Sequence, residues 1–289
     1  MNVISKEKIM QKETVSRDEE NKKAVKIMKI IKKYPLTSYF VIAWISTWLL
    51  VMPLVLTGLG ILSMNMYWHF LGPLGPTISA IIIAYISDKK KGLKKLKDSV
   101  FKWRIGVFWV LFSALIMPTF LILTILLNLA FTGNFIDLGA YLINEGITNP
   151  MSFFIWIWVG AISYGIFEEI GWRGYALPKL QEKYNSLTST IILTVGWAIW
   201  HIPMFFYRFS LDILFGWSYG LFIGAILLTF IYNSSGGSTF ATILFHISNN
   251  VCWLFNIAEI QMGLTIQLTI LVFVILLIWK KRLTTNKSF

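Results

Sequence analysis

Cysteine and charged residues are scarce in this chain of 289 residues. A single cysteine, Cys252, excludes an intramolecular disulfide and any zinc site built on several thiolates. Only 14% of the residues are charged, whereas about a quarter are charged in a typical soluble domain. The chain is therefore not an ordinary soluble protein.

Apolar residues take the place of the missing charges. They make up 56% of the chain and give it a mean hydropathy of +0.66. They gather in blocks of about 20 residues, which is the length of a helix that spans a bilayer core. Eight such blocks follow Pro35, at about 36–56, 70–87, 105–131, 152–176, 187–206, 215–233, 238–257 and 264–279. The sequence predicts an all-α fold, a polytopic transmembrane helical bundle of about eight spans.

The first 35 residues differ from the rest because they are polar and basic. Between residues 21 and 34, lysines and apolar residues fall on two separate helical stripes, Lys22, Lys26, Lys29 and Lys33 against Ala24, Ile27, Met28 and Ile31. This pattern predicts a basic amphipathic helix on an anionic membrane leaflet, with a solvated extension of the first span as the alternative. We therefore divide the chain into a cytoplasmic basic tail and amphipathic segment, 1–35, and a single transmembrane domain, 36–289.

Basic residues also predict the orientation of the chain in the membrane. The first 35 residues hold ten Lys/Arg, the 88–104 connection holds eight and the tail from Lys280 holds four. Since cytoplasmic segments carry the excess of Lys/Arg, both termini and the 88–104 connection are predicted to be cytoplasmic. This orientation, in a multi-pass protein of the cell membrane, accounts for the net charge of +12 better than a nucleic-acid partner does.

Charge inside the predicted spans is confined to one place. Residues 152–167 carry no charge, and Glu168, Glu169 and Arg173 follow directly. Ionisable residues at membrane depth are costly and indicate a functional site. Glu169 and Arg173 are four residues apart and can pair on one helix face, whereas Glu168 lies about 100° around the helix. The partners of Glu168 must therefore lie on other helices.

Two later spans carry polar side chains that can meet Glu168. One contains Trp197 and His201, followed by Pro203, and the other contains His246 and Asn250 on one helix face. A carboxylate and a histidine can activate water as a general base, while a second histidine and an amide can donate hydrogen bonds to an oxyanion. The set favours hydrolysis of an acyl or peptide bond within the membrane.

In their order along the chain, these motifs resemble those of the CPBP family of CAAX prenyl proteases and bacteriocin-processing enzymes. The motifs are Glu-Glu-x-x-x-Arg at 168–173, an aromatic residue and His at 197 and 201, and His-x-x-x-Asn at 246–250. The chain is similar to the type II CAAX prenyl endopeptidases, which are intramembrane proteases with eight helices. The resemblance covers a core of about residues 150–255 strongly, and the Gly-Pro-Leu-Gly-Pro segment at 72–76 weakly. That segment must also kink or delay the second span.

The resemblance implies a role for each matching residue. Glu168 and His201 would activate water, and His246 and Asn250 would form the oxyanion site. Glu169 and Arg173 would support them. The sequence departs from the family at Trp197, where Phe is usual, and the wider ring is expected to narrow the cavity and change substrate preference. The expected substrate is a membrane-associated or lipidated peptide, and no cofactor is predicted.

Three other interpretations follow from the same residues. In the first, Glu168, His201 and His246 hold a zinc ion, because two histidines and one glutamate form several catalytic zinc sites. The second is a non-catalytic membrane protein that provides immunity against bacteriocins or acts as a scaffold. The third is a transporter. The remaining histidine, His69, lies among Tyr67, Trp68 and Phe70, and we expect it to belong to an interfacial aromatic belt.

Overall fold

The fold is helical throughout the part of the chain that the structure describes. This computed structural model describes the backbone of residues 3–284 and the side chains of Arg17 and residues 19–279. Its α-helices are α1 Val3–Lys33, α2 Pro35–Gly58, α3 Leu74–Val100, α4 Val107–Thr132, α5 Leu138–Asn144, α6 Pro150–Ile157, α7 Ser163–Gly171, α8 Leu177–Gln181, α9 Ser186–His201, α10 Leu214–Ser234, α11 Thr239–Trp253 and α12 Ala258–Thr284. The shorter helical turns are Met66–Leu71, Ile202–Phe206 and Leu211–Ile213, of the 3₁₀ type, and Trp158–Ile162 and Trp172–Ala176, of the π type.

Seven helical stretches among the described residues are long and apolar enough to cross a membrane. The predicted polytopic helical bundle is thereby confirmed. The predicted block at 238–257 differs from the other seven because it forms α11, a helix of only 15 residues. Such a helix is about 22 Å long, shorter than a bilayer core of about 30 Å. It packs mainly against α4 and α7, so the helix that carries His246 and Asn250 lies inside the bundle.

α1 ends at Lys33 and α2 begins at Pro35, so residue 34 separates the two helices. Among the described side chains of α1, Ile31 is buried and the lysines on either side of it are exposed. The division of the chain at residue 35 stays a prediction.

The second span begins late and ends in a kink. After the turn Met66–Leu71, α3 begins at Leu74, inside the Gly-Pro-Leu-Gly-Pro segment, so the predicted delay is observed. Lys89 has a φ of 53° and a ψ of −138°, which breaks α3 close to the predicted end of the span. The basic connection predicted at 88–104 is helical as far as Val100, because its residues continue α3 beyond the kink.

The fourth span is one continuous helix, Pro150–Gln181, that contains two π turns. Asn149 and Ser152 cap its beginning with reciprocal side-chain hydrogen bonds. A π turn inserts an extra residue into an α-helix and is frequently found at functional sites. Here the two π turns border α7, which carries Glu168 and Glu169, on both sides.

Two glycines allow α7 to approach its neighbours closely. A Cβ atom at Gly171 would lie 2.5 Å from the Cβ of Pro76 in α3 and 2.6 Å from the Tyr39 hydroxyl in α2. A Cβ at Gly165 would lie 2.9 Å from the backbone nitrogen of Ile247 in α11. Real Cβ contacts are longer than this, so only glycine fits at either position. The close packing places both carboxylates of α7 in the protein interior.

Candidate functional site

Glu169 lies at the centre of a buried ionic cluster. Its Oε1 accepts hydrogen bonds from the Arg173 guanidinium at 2.7 Å and from Nδ1 of His246 at 2.8 Å. Glu169 and Arg173 are completely buried, and His246 is 5% exposed. The i, i+4 pair expected from the sequence is present, and the histidine from α11 joins it. Glu169 therefore links the fourth span to the helix that carries Asn250.

The neighbouring carboxylate has a different environment. Glu168 is 1% exposed, and its Oε2 accepts a hydrogen bond from Nε1 of Trp172 at 3.0 Å and another from Nε1 of Trp197. No cationic side chain among the described residues forms an ion pair with it. Its other oxygen, Oε1, receives no hydrogen bond from the described part of the chain. Glu168 is thus a buried acid held by neutral donors on one oxygen only.

His201 ends α9 with its ring among aromatic side chains. Its Nδ1 lies 2.8 Å from the carbonyl oxygen of Trp197, four residues earlier in the same helix. A carbonyl can only accept, so this contact assigns the proton to Nδ1 and leaves a lone pair on Nε2 of the neutral ring. The rings of Trp200 and Trp217 pack against it at centroid distances of 4.6 and 4.9 Å. The tautomer is the one that a general base at Nε2 requires.

Asn250 lies one helical turn beyond His246 and is half-buried. Its Oδ1 accepts a weak hydrogen bond of 3.4 Å from the Asn249 side chain, so its own Nδ2 remains a donor. Among the described residues, no hydrogen bond joins Asn250 to the other predicted site residues. The amide is near the histidine only because both lie on one face of α11.

Trp197 touches most of the predicted site. Its indole donates to Glu168, its ring lies 5.9 Å from His201 and 5.7 Å from His246, and the Arg173 guanidinium lies over it at 4.6 Å. The structure thus brings Glu168, His201 and the Glu169 cluster around one side chain. It does not bring Glu168 and His201 into direct hydrogen-bond contact; Trp197 lies between them and bonds to both.

The expectation that His69 belongs to an aromatic belt is wrong. His69 is 3% exposed, and its Nδ1 lies 2.8 Å from the hydroxyl of Tyr207 and 3.1 Å from that of Tyr164. Its ring stacks on Tyr164 at 4.8 Å. Burial raises the pKa of Tyr207, so its phenol stays protonated and can donate to the imidazole. His69 is the only buried residue of the turn Met66–Leu71, and the hydroxyls of Tyr164 and Tyr207 contact its ring in the interior.

One donor atom of each residue in the alternative zinc site has another partner. Oε2 of Glu168 binds two indoles, Nδ1 of His201 binds a carbonyl oxygen and Nδ1 of His246 binds Glu169. Within the residues that the structure describes, no group of three or more His, Cys, Asp or Glu side chains is placed to hold a metal ion. Oε1 of Glu168 and Nε2 of His201 and His246 have no hydrogen-bond partner among the described residues, so the zinc-dependent alternative stays a prediction.

Sequence reasoning missed two groups of residues around the carboxylates. Trp172 is four residues from Glu168, so the spacing rule that paired Glu169 with Arg173 would also have paired these two. The cluster of His69, Tyr164 and Tyr207 had no such signal, since His69 and Tyr207 are separated by 138 residues.

Comparison with known proteins identifies the same region of the chain. Residues 150–252 match the family described as type II CAAX prenyl endopeptidase Rce1-like. The chain is also 28% identical over 185 residues to a protein named CAAX prenyl protease 2 from Methanococcus maripaludis. That match covers 60% of this chain and 66% of the relative. The resemblance to type II CAAX prenyl endopeptidases that the motifs predict is thereby confirmed.

Proposed function

We propose that this chain is an intramembrane endopeptidase that hydrolyses a peptide bond of a membrane-associated or lipidated peptide. The family match covers all four proposed site residues, Glu168, His201, His246 and Asn250. The observation that supports the proposal most is the state of Glu168, which is buried, has no cationic partner and keeps one oxygen free of hydrogen bonds within the described residues. An acid in that condition is suited to exchange protons with water.

Water activation is the first step of the proposed reaction. Oε1 of Glu168 accepts a proton from a water molecule, and the lone pair on Nε2 of His201 orients the same molecule. The resulting hydroxide attacks the carbonyl carbon of the peptide bond and forms a tetrahedral intermediate. The proton then passes from Glu168 to the leaving nitrogen, the carbon–nitrogen bond breaks, and the enzyme returns to its starting state. The proton removed from water is thus the one that leaves with the amine.

The negative charge of the intermediate requires donors on the opposite side of the carbonyl. His246 already donates from Nδ1 to Glu169, so it can donate from Nε2 at the same time only as an imidazolium ion. The Glu169 carboxylate balances that charge, and Arg173 adds a second positive charge to the cluster. Together with Nδ2 of Asn250, this cluster would stabilise the oxyanion, an effect typically worth about 3–4 kcal/mol per donor.

The active site is proposed to open towards the cytoplasm, in a protein of the cell membrane whose termini are both cytoplasmic. The basic residues of the N-terminal segment and of the α3 extension support this orientation. A lipidated peptide on the inner leaflet could then reach the site directly, with membrane lipids around it.

The test is hydrolysis of a quenched fluorescent peptide that carries a prenylated cysteine followed by three residues. We expect the protein in proteoliposomes to cleave it, and Glu168→Gln to lower kcat/KM by about 10²–10⁴-fold, the usual contribution of a general base. Glu259→Gln, at an exposed acid, serves as the matched control and should retain full activity. A Glu168→Gln protein that cleaves at the wild-type rate would contradict the proposal.

Metal content provides a separate test. The proposed reaction uses no metal ion, so elemental analysis of protein purified without added metal should show far less than one zinc per chain. Stoichiometric zinc that is lost in a His246→Ala variant would support the zinc-dependent alternative instead.

A further inference from the structure

Two indole N–H groups hold the same oxygen of Glu168. Trp172 belongs to the π turn that follows α7, and Trp197 belongs to α9, 29 residues further along the chain than the acid. Both donate from Nε1 to Oε2. The indole N–H can only donate, so neither contact can reverse its direction when the charge of the acid changes.

The two rings have little freedom to move. Trp172 is completely buried and packs edge-on against Tyr39 at 5.7 Å and Trp200 at 6.1 Å. Trp197 is 5% exposed and has the Arg173 guanidinium over its face. Hydrogen bonds from such fixed donors determine the rotation of the carboxyl group as well as its position.

We propose that Trp197, with Trp172, is a positioning residue that fixes Oε2 of Glu168 and presents Oε1 to the reacting water. This inference rests on the proposed function, in which Oε1 takes the proton. A carboxylate with two equivalent oxygens would otherwise rotate between orientations, of which only some are productive.

The hydrogen bonds can be tested without any activity. In protein labelled with ¹⁵N at its 13 tryptophans, the indole signal that disappears in Trp197→Phe identifies Trp197, and Trp172→Phe identifies the other donor. We expect Glu168→Gln to shift both signals, because each loses a charged acceptor. The signal of Trp44, whose Nε1 donates to the carbonyl oxygen of Gly196 at 2.9 Å, should not move. Signals of Trp172 and Trp197 that stay in place would overturn the proposal.

Kinetics then test the positioning role. Trp197→Phe keeps an aromatic ring beneath Arg173 and removes only the N–H and part of the ring. We expect kcat on the fluorescent peptide to fall about 10- to 100-fold, the effect of a small misplacement at a reacting centre, with KM within about twofold of wild type. Trp44→Phe, which also removes an indole hydrogen bond to α9, is the control and should keep its kcat.

The outcomes distinguish this inference from the proposed function. If the indole signals respond to Glu168→Gln but the wild type cleaves no peptide, the proposed function fails and the hydrogen bonds to Glu168 stand. If the wild type is active and Trp197→Phe lowers kcat no more than Trp44→Phe does, the positioning role is overturned. A kcat that falls with unchanged KM and an unchanged midpoint of thermal unfolding supports it.

Discussion

Glu168 and Glu169 are adjacent in one helix, yet their surroundings differ in kind. Glu169 contacts a guanidinium and an imidazole, whereas Glu168 contacts two neutral indoles. Since successive residues of a helix point about 100° apart, one carboxylate faces α11 and the other faces α9. Each acid has one oxygen without a hydrogen-bond partner among the described residues, so the two differ in charge. Charged partners stabilise Glu169 in the interior, whereas Glu168 has only neutral donors, which suits the proton transfer proposed for it.

The largest expected effect on stability comes from Glu169→Gln. It leaves the completely buried Arg173 without its counter-charge, and removal of one partner from a buried ion pair typically costs about 3–5 kcal/mol. The matched change at the neighbouring acid, Glu168→Gln, removes no ion-pair partner and should alter stability much less. Thermal unfolding of both variants in detergent checks the difference. Equal losses of stability would refute the contrast between the two acids.

A second substitution should reverse much of that loss. In the double variant Glu169→Gln/Arg173→Met no charge of the pair remains buried, and replacement of a buried pair by uncharged groups is often nearly neutral. Nε and one terminal nitrogen of Arg173 have no hydrogen-bond partner among the described residues. Replacement of the Arg173 side chain therefore breaks few hydrogen bonds. We expect the double variant to recover about 2 kcal/mol relative to Glu169→Gln alone. An additive, larger loss would show that Arg173 stabilises the bundle through its packing.

The sequence predicts those parts of the site in which the partners are close in the chain. A spacing of four residues places Arg173 beside Glu169, and the same rule would have placed Trp172 beside Glu168. The link from Glu169 to His246 spans 77 residues, and only the packing of α7 against α11 determines it. For Trp197 the sequence shows a large ring but not the direction of its N–H. It therefore predicted an effect on the size of the cavity and missed the hydrogen bond to Glu168.

For the fold, likewise, local features of the sequence were predictable and the packing of the helices was not. Apolar length predicted the helical bundle, because each span is a local property of the sequence. It did not predict that the block at 238–257 would form the 15-residue α11, since apolar residues that face other helices resemble those that face lipid. The burial of His69 was missed because Tyr67 and Trp68 beside it are exposed, whereas its own contacts are Tyr164 in α7 and Tyr207, which follows the turn after α9.

The cluster around His69 should show an intermediate effect. Tyr207→Phe removes the hydroxyl that lies 2.8 Å from Nδ1 of His69, and the Tyr164 hydroxyl at 3.1 Å remains as a partner. Loss of one such hydrogen bond typically costs about 1 kcal/mol. Thermal unfolding measures it, with Tyr67→Phe, at an exposed tyrosine that forms no side-chain hydrogen bond in the described structure, as the control. A Tyr207→Phe protein as stable as the control would show that the contact contributes nothing.

The smallest effect is expected for a pair with the same spacing as Glu169 and Arg173. Lys94 and Asp98 are also four residues apart and 2.6 Å from each other, but their side chains are 74% and 57% exposed. Water and salt screen such pairs, and exposed i, i+4 pairs typically contribute about 0.3–0.5 kcal/mol or less. Asp98→Asn should therefore leave the unfolding midpoint within error of wild type, whereas Glu169→Gln lowers it clearly. Spacing and distance are nearly the same in the two pairs, so the comparison tests the effect of burial, together with the His246 contact that only Glu169 has. A large effect of Asp98→Asn would mean that the basic extension of α3 depends on this ion pair, and burial would no longer explain the difference.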